Sequence, residues 1–189
     1  MSSETKTTYD PDLSGPVGAS RPPLYVGIDN GVSGSMGFVR DSGIGSMRMI
    51  PTRSELSYTK AKRNITRVNW AVLRDVIYQE VGKNPPYVVR VFVERPMVNP
   101  MRFMATASAL RALEATLIVL EWYRFPLQYV DSREWQKVML PSGLKGADQL
   151  KRASHDIGCR LFPEMADAIK KHGDADGLLM AEWARRERR

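Results

Sequence analysis

The order of apolar and polar residues along the chain predicts an α/β domain that begins near residue 24. An apolar strand over Leu24–Asp29 ends in a turn-rich segment, and two further strands, Ser35–Arg40 and Ile44–Ile50, follow it. The run Val88–Glu94 is almost continuously apolar and β-branched, which is typical of a central strand covered by helices on both faces. Leu127–Val130 is the last predicted strand.

Apolar residues at helical spacing predict a helix over 70–81 and a longer one over 105–122. The capping-box pair Asp131 and Glu134 opens a C-terminal part that is predicted to be helical. The helix over 105–122 is apolar on more than one side. It is therefore either a fully buried core helix or one that faces both the sheet and a partner helix, which is a homodimer hypothesis.

Size and composition favour one folded domain over 24–189. Its 189 residues suffice for one α/β core but hardly for two, and no uncharged apolar run approaches the roughly 18 to 20 residues that span a membrane. Residues 1–23 are rich in Ser, Thr, Pro and Gly and are expected to form a disordered tail. A single cysteine, Cys159, leaves no internal disulfide or zinc cluster, so a reducing, cytoplasmic location is expected.

A basic excess points to a polyanionic partner. The chain has 28 Lys+Arg against 21 Asp+Glu, a formal charge of +7, and an excess of +5 lies between Arg40 and Arg67. Two groups of basic residues are predicted to contact phosphates, a loop-to-helix segment and a later group: Lys60, Lys62, Arg63 and Arg67, then Lys145, Lys151 and Arg152. For any one of them, a solvated surface charge is the alternative.

Two acidic residues, Asp29 and Glu94, stand at the ends of predicted strands. If these strands are parallel neighbours, both carboxylates lie at the edge of the sheet where open α/β sheets bind ligands. Either one alone would be an ordinary cap or loop residue. Together they need a counter-charge, which a divalent cation bound by oxygen supplies.

A third acidic segment precedes the last helix. His172 and Asp176 are four residues apart and would share a helix face if the helix already includes His172, whereas Asp174 would point elsewhere. Asp174 and Asp176 could also merely complement a helix N-terminus.

Such a cluster suits phosphodiester hydrolysis, in which a water must be activated and the leaving oxygen stabilised. Metal ions about 3.5–4 Å apart do both when acidic residues hold them. Mg²⁺ fits because it prefers oxygen ligands and retains waters, and Mn²⁺ is the expected substitute. No small-molecule organic cofactor and no membrane partner are expected.

Three segments resemble the acidic motifs of RuvC-type Holliday junction resolvases, especially their phage-like members: Gly27–Gly34, Val91–Pro96 and His172–Leu179. Between them, Trp135–Pro141 and Leu150–Ser154 are similar to the Lys-containing connection of this family. The order and spacing of the segments carry the resemblance. It implies an RNase H-like α/β fold with a five-stranded mixed sheet flanked by helices, a homodimer, and Mg²⁺-dependent, symmetrical cleavage of four-way DNA junctions.

The resemblance also implies roles for the acidic residues. Asp29 corresponds to the central metal-bridging carboxylate, Glu94 to the second ligand and Asp176 to the helix-borne ligand. The fourth position is open between His172 and Asp174. His172 is preferred, because some family members use a histidine near this point and because its i to i+4 spacing would aim it with Asp176. Histidine is also the commonest proton acceptor near neutral pH.

Family members also place an aromatic wedge in the loop after the second acid. Here Met97 stands three residues beyond Glu94. Phe103, or the set Met97, Met101 and Met104, is therefore the candidate for unstacking bases at the crossover, and Arg102 is expected to contact DNA beside it. For Phe103, core packing is the alternative.

Three other classes compete with this interpretation. Actin-like kinases and chaperone ATPases share a similar first strand but need two lobes, for which 189 residues are too few. A catalytically silent junction-binding scaffold is disfavoured by the joint presence of Asp29, Glu94 and Asp176. A related nuclease that cuts flaps or RNA–DNA hybrids stays open.

Overall fold

The computed structural model describes residues 21–187 except 59, 61, 83 and 85. Most of the predicted tail, residues 1–20, lies outside the described residues. The described strands are β1 (Leu24–Ile28), β2 (Ser35–Arg40), β3 (Gly45–Met49), β4 (Thr52–Leu56), β5 (Asn64–Val68), β6 (Val89–Glu94) and β7 (Leu127–Val130). The described α-helices are α1 (Trp70–Val81), α2 (Phe103–Trp122), α3 (Ser132–Met139), α4 (Gly146–Leu161), α5 (Ala166–His172) and α6 (Asp176–Arg186).

Five strands form the main sheet in the order β3-β2-β1-β6-β7. The first three are antiparallel neighbours, whereas β6 and β7 run parallel to β1. The predicted fold class, a five-stranded mixed sheet flanked by helices, is confirmed.

Helices cover both faces of this sheet, because successive side chains of a strand point to opposite sides. In β1, Val26 packs in one core cluster with residues of α1 and α2, while its neighbour Tyr25 packs in another with residues of α3 and α6. In β6, Val91 and Phe92 divide between the two clusters in the same way. The near-continuous apolar run of β6 thus follows from burial on both faces.

Along the chain, β3 is followed by a separate two-stranded sheet, β4–β5, which precedes α1. The prediction of a loop-to-helix segment here is wrong, because residues 52–68 form a β-hairpin. Most of its side chains are exposed, so it lacks the apolar alternation that reveals a half-buried strand.

Helix α2 is not a fully buried core helix, which removes one of the two alternatives for it. Its buried residues lie on one side, while Ile118 and Trp122 are 60% and 68% exposed. With the preceding turn, Pro100–Trp122 has the length and mean hydropathy, 1.5, of a membrane span. Apolar helices that pack on a sheet share these properties, and the charges of Arg111 and Glu114 interrupt this one.

Candidate active site

The two strand-end acids meet at one edge of the main sheet. Strands β1 and β6 are parallel and in register, with Ile28 opposite Val93. The next residues, Asp29 just after β1 and Glu94 at the end of β6, therefore stand side by side, which meets the condition of the prediction. A hydrogen bond from Asp29 N–H to the Ser35 carbonyl, 2.9 Å, fixes the backbone just after β1.

Glycines bring the last acidic segment to the same edge. A Cβ on Gly27 would lie 2.3 Å from the Gly177 carbonyl oxygen, and one on Gly37 would lie 2.2 Å from the Leu178 Cα. The start of α6 thus packs directly on the backbones of β1 and β2, closer than any side chain permits. This contact places Asp176, the first residue of α6, beside the end of β1.

The segment between α5 and α6 differs from the prediction. Helix α5 ends at His172, Gly173 adopts a left-handed conformation with φ of 103°, and α6 begins only at Asp176. The prediction that His172 and Asp176 share a helix face is wrong. Asp174, expected to point elsewhere, accepts a hydrogen bond from the Asp176 N–H at 3.3 Å.

Three carboxylates form the centre of the site. Asp29, Asp174 and Asp176 each offer an oxygen, and these oxygens all lie within 4.8 Å of one another. Glu94 borders the group, and the Trp135 Nε1–H donates to its Oε2 at 3.3 Å. We call these four residues the acidic cluster.

Burial and mutual repulsion act on three of these carboxyls. Burial, then the charge of Asp174, raises the pKa of Asp29 to about 6 and that of Asp176 to about 7. Burial, then the charges of Asp29 and Asp176, raises the pKa of Glu94 to about 8. The charged forms are thus poorly compensated by the protein alone.

Asp174 is the exception within the acidic cluster. Burial acts to raise its pKa, but His172, the Asp176 N–H and Lys151 together lower it below its ordinary value. Lys151 Nζ lies 3.4 Å from Asp174 Oδ2, and its side chain is largely exposed. Asp174 is therefore a charged carboxylate that already attracts a cationic group.

The His172 side chain contacts the Asp174 carboxylate. Its Nε2 is 3.4 Å from Asp174 Oδ1, but the direction is not that of a hydrogen bond, and this buried nitrogen has no hydrogen-bond partner among the described residues. The contact with Asp174 raises the pKa of His172. His172 thus borders the acidic cluster through Asp174, whereas Asp174 supplies one of the three grouped oxygens.

Ser154 of α4 supports the start of α6 from a fully buried position. Its hydroxyl donates to Asp176 Oδ1 and accepts from the Ala175 N–H at 3.1 Å. Gly158, one turn later on α4, lets that helix pack against Ala175. These contacts fix the orientation of the Asp176 carboxylate.

The acidic cluster fits a divalent cation. Grouped carboxylate oxygens are the ligands that hard cations such as Mg²⁺ and Mn²⁺ prefer, and repulsion among them is relieved when an ion binds. Burial first, and repulsion by Asp174 second, raise the pKa values of Asp29 and Asp176, and a bound ion would relieve both effects. Asp29, Asp174 and Asp176 could hold one ion, with Glu94 at its border.

The predicted phosphate contacts fall into separate places. Lys145, Lys151 and Arg152 are exposed at or near the start of α4, and the contact of Lys151 with Asp174 ties this group to the acidic cluster. Lys60, Lys62, Arg63 and Arg67 belong to the β4–β5 hairpin, which packs on α2.

The wedge candidates and Arg102 lie in the segment that leads from β6 into the start of α2. Arg102 and Phe103 are exposed where α2 begins, and Phe103 is 71% exposed, so the core-packing alternative for it is wrong. Met97 is exposed as well.

Sequence reasoning did not single out Ser154 or Trp135 as supports of the site. Both residues lie in segments that resemble the Lys-containing connection of the family. The position of Ser154 one turn after Lys151 on a predicted helix was the signal that could have identified it as a site residue. The hydrogen bond of Trp135 with Glu94 joins α3 to β6, two elements far apart in the sequence, so the local sequence pattern does not predict it.

Comparison with known proteins locates the fold. No family model and no curated protein matches the sequence. Among solved structures, the RuvC of Thermus thermophilus in complex with Holliday junction substrate is similar, with a TM-score of 0.51, 11% identity, and coverage of 87% of this chain and 96% of that chain. The yeast mitochondrial Holliday junction resolvase Ydc2 has a TM-score of 0.45 and 14% identity over 89% of this chain and 80% of its own. The chain thus shares the fold of the Thermus RuvC structure.

Proposed function

We propose that this protein is a metal-dependent, structure-selective DNA endonuclease that resolves four-way junctions by symmetrical phosphodiester hydrolysis. The observation that carries the proposal is the acidic cluster. Three carboxylate oxygens within 4.8 Å of one another lie where the central parallel strands of a RuvC-like fold end.

The acidic cluster would hold Mg²⁺, with Mn²⁺ as a substitute. When bound, the metal supplies an activated water and neutralises charge on the phosphate. Asp29 and Asp176 hold ligand oxygens on rigid supports, the end of β1 and the first turn of α6. Ser154 and Trp135 orient the Asp176 and Glu94 carboxylates by their hydrogen bonds, so that little reorganisation is needed.

Basic residues on α4 would position the scissile phosphate. Lys151 Nζ is within 3.4 Å of Asp174 and is otherwise open to solvent, so it can contact a phosphate oxygen that approaches the acidic cluster. Lys145 and Arg152 extend this basic surface along the start of α4. Contacts of this kind bind any DNA backbone and become weaker with salt.

Selection of a junction would come from a homodimer. A two-fold dimer presents two identical sites to two symmetry-related strands. The exposed apolar side of α2, with Ile118 and Trp122, is the surface that favours such a dimer. The complex of the Thermus protein with a Holliday junction substrate supports branched DNA as the ligand. A cytoplasmic location belongs to the same proposal.

Side-by-side cleavage of labelled substrates tests the proposal. A four-way junction, a flap, a Y-form and a linear duplex are incubated with the protein in Mg²⁺, with Asp29→Asn as the inactive control. We expect paired, symmetrical nicks confined to the junction. Dominant flap cutting would instead indicate a debranching nuclease, and junction binding without any cleavage would indicate a scaffold. Full activity of Asp29→Asn would contradict the assignment of the site.

A further inference from the structure

The β4–β5 hairpin is an arm attached to the domain at its base. The Asn69 N–H donates to the Pro51 carbonyl at 2.8 Å, and Ile50 and Val68 are buried where the two strands leave the core. Beyond this base, the strands are paired only with each other among the described residues. The side chains beyond this base are mostly exposed, so the arm contributes little to the core.

Basic residues on the strands of the hairpin form ion pairs with Glu55, whereas those near its tip do not. Glu55 forms two ion pairs, from Oε1 to Arg67 Nη1 at 2.5 Å and from Oε2 to Arg53 Nε at 3.1 Å. Arg67 first, and then Arg53, lower the pKa of Glu55. Near the tip, three exposed cations have no carboxylate within ion-pair distance in the described part of the chain: Lys60, Lys62 and Arg63. The positive charge at the tip is therefore available to an external anion.

The tip is docked on the first half of α2. Arg111 Nη1 donates to the Tyr58 hydroxyl at 2.7 Å, and the guanidinium lies 5.8 Å from the centre of the Tyr58 ring. Arg63 Nη2 contacts Met104 Sδ at 3.6 Å. Tyr58 thus has a fixed hydroxyl, yet the residue is 71% exposed, so its ring is open to solvent.

We propose that Tyr58, Lys60, Lys62 and Arg63, at the tip of the hairpin, form a surface that binds unpaired nucleotides at the crossover of branched DNA. The Tyr58 ring supplies a stacking platform, and the three cations bind the adjacent phosphates. Exposed aromatic rings beside unpaired cations are the combination by which proteins hold single-stranded nucleic acid. The proposal rests on the proposed function for the identity of the DNA, and it assigns the hairpin to substrate recognition.

Equilibrium binding without metal separates this proposal from catalysis. The probe is a four-way junction with 2-aminopurine at the crossover, compared with a linear duplex of the same arm sequence, both in EDTA. We expect Tyr58→Ala to weaken junction binding by about tenfold and to remove the 2-aminopurine fluorescence change, with little effect on the duplex. Tyr58→Phe keeps the ring while losing the Arg111 hydrogen bond, so it should retain the fluorescence change.

The cations are tested by salt dependence. We expect Lys62→Ala/Arg63→Ala to lower the slope of log affinity against log salt by about two, since two phosphate contacts are lost. The matched control is Arg40→Ala/Arg90→Ala, which removes two exposed charges at the end of the main sheet opposite Asp29. It should leave junction binding near that of the wild type.

Three outcomes would overturn the proposal: unchanged junction binding in the tip variants, equal losses in the tip and control variants, or a changed oligomeric state with unchanged DNA binding. The last would show that the surface contacts protein. Selective loss of junction binding supports the proposal even if the protein cuts nothing in Mg²⁺. Conversely, symmetrical junction cleavage with tip variants that bind normally would leave the proposed function standing and remove this inference.

Discussion

Ser154 connects the helix-borne carboxylate to α4 through a hydroxyl that both donates and accepts. We expect Ser154→Ala to weaken Mn²⁺ binding and to lower junction cleavage by about tenfold or more, because Asp176 loses a donor and the buried Ala175 N–H loses its acceptor. Calorimetric titration with Mn²⁺ measures the first effect, and single-turnover cleavage measures the second.

Ser46→Ala is the matched control for this prediction. The Ser46 hydroxyl also donates to a carboxylate, Glu80 Oε2 at 2.6 Å, but it joins β3 to α1 away from the acidic cluster. This variant should lower the unfolding temperature slightly and leave Mn²⁺ affinity unchanged. Equal loss of Mn²⁺ affinity in both variants would contradict a positioning role for Ser154.

Asp174 and His172 can be separated by substitution. Asp174→Asn keeps the shape of the side chain but removes a charged oxygen from the three-carboxylate group, so we expect loss of both Mn²⁺ binding and cleavage. His172→Ala removes a neighbour of Asp174 and should lower cleavage by no more than about tenfold. The two variants are compared in the same calorimetric and cleavage assays. Inactive His172→Ala beside active Asp174→Asn would identify the histidine as the ligand.

The close approach of α6 to the main sheet depends on glycine. We expect Gly27→Ala to lower the free energy of unfolding by about 1–3 kcal/mol or more, since its Cβ would lie 2.3 Å from the Gly177 carbonyl oxygen and neither backbone can move freely. Urea denaturation measures the change. The control is Gly31→Ala, where a Cβ has no neighbour closer than 4.0 Å. Similar stability of the two variants would contradict this account of the packing.

Elements with strong apolar patterns could be predicted from the sequence. The helix Trp70–Val81 and the strand Leu127–Val130 have the predicted bounds, and the capping box at Asp131 is present. These segments are determined locally, by periodicity and by side chains that cap their own helix. The parallel pairing of β1 with β6, on which the prediction of a shared sheet edge for Asp29 and Glu94 was conditional, is present.

Other features depend on contacts between distant residues and could not be predicted in this way. The hairpin is held by cross-strand pairs such as Arg67 with Glu55 and by packing on α2, so its sequence shows no apolar alternation. The end of α5 at Gly173 was missed because the polar run around it suited a helix start as well as a break. That error led to the preference for His172 over Asp174.

At the scale of the whole molecule, the proposed homodimer would form through the exposed side of α2, which carries Ile118 and Trp122. We expect Ile118→Glu to shift the protein from dimer to monomer and to reduce paired nicking of junctions, because a charge would be buried in an apolar interface. Light scattering measures the mass. The control is Ile44→Glu, since Ile44 in the β2–β3 turn is 64% exposed and Ile118 is 60% exposed. A monomeric wild-type protein would contradict this prediction.

Dimerisation through α2 would also be coupled to the acidic cluster. Asn30, the residue after Asp29, donates from Nδ2 to the Ala109 carbonyl of α2 at 3.2 Å. The helix that would carry the dimer contact is thus hydrogen-bonded to the segment that carries Asp29.

The stability of the whole protein should depend on pH in a direction set by the acidic cluster. The pKa values of Asp29, Asp176 and Glu94 are raised to about 6, 7 and 8, above ordinary values of 3.8, 3.8 and 4.5. The folded state therefore binds more protons than the unfolded state between about pH 4 and pH 8. Because the slope of unfolding free energy with pH follows the protons bound by the unfolded state minus those bound by the folded state, stability falls as pH rises through this window.

We therefore expect the unfolding temperature in EDTA to fall steadily from pH 5 to pH 8.5, and Mg²⁺ to raise it more at pH 8.5 than at pH 5.5, because an ion competes with protons for the same oxygens. The raised pKa of His172 acts in the same direction, since the stability it contributes is lost as pH rises. Asp29→Asn, which has no proton to lose, should show a flatter curve and exceed the wild type in stability at pH 8.5 in EDTA. Calorimetric scans across this range measure all of these values. An unfolding temperature that rises with pH in EDTA, or stabilisation by Mg²⁺ that is equal at both pH values, would show that burial and mutual repulsion do not raise the pKa values of these carboxyls.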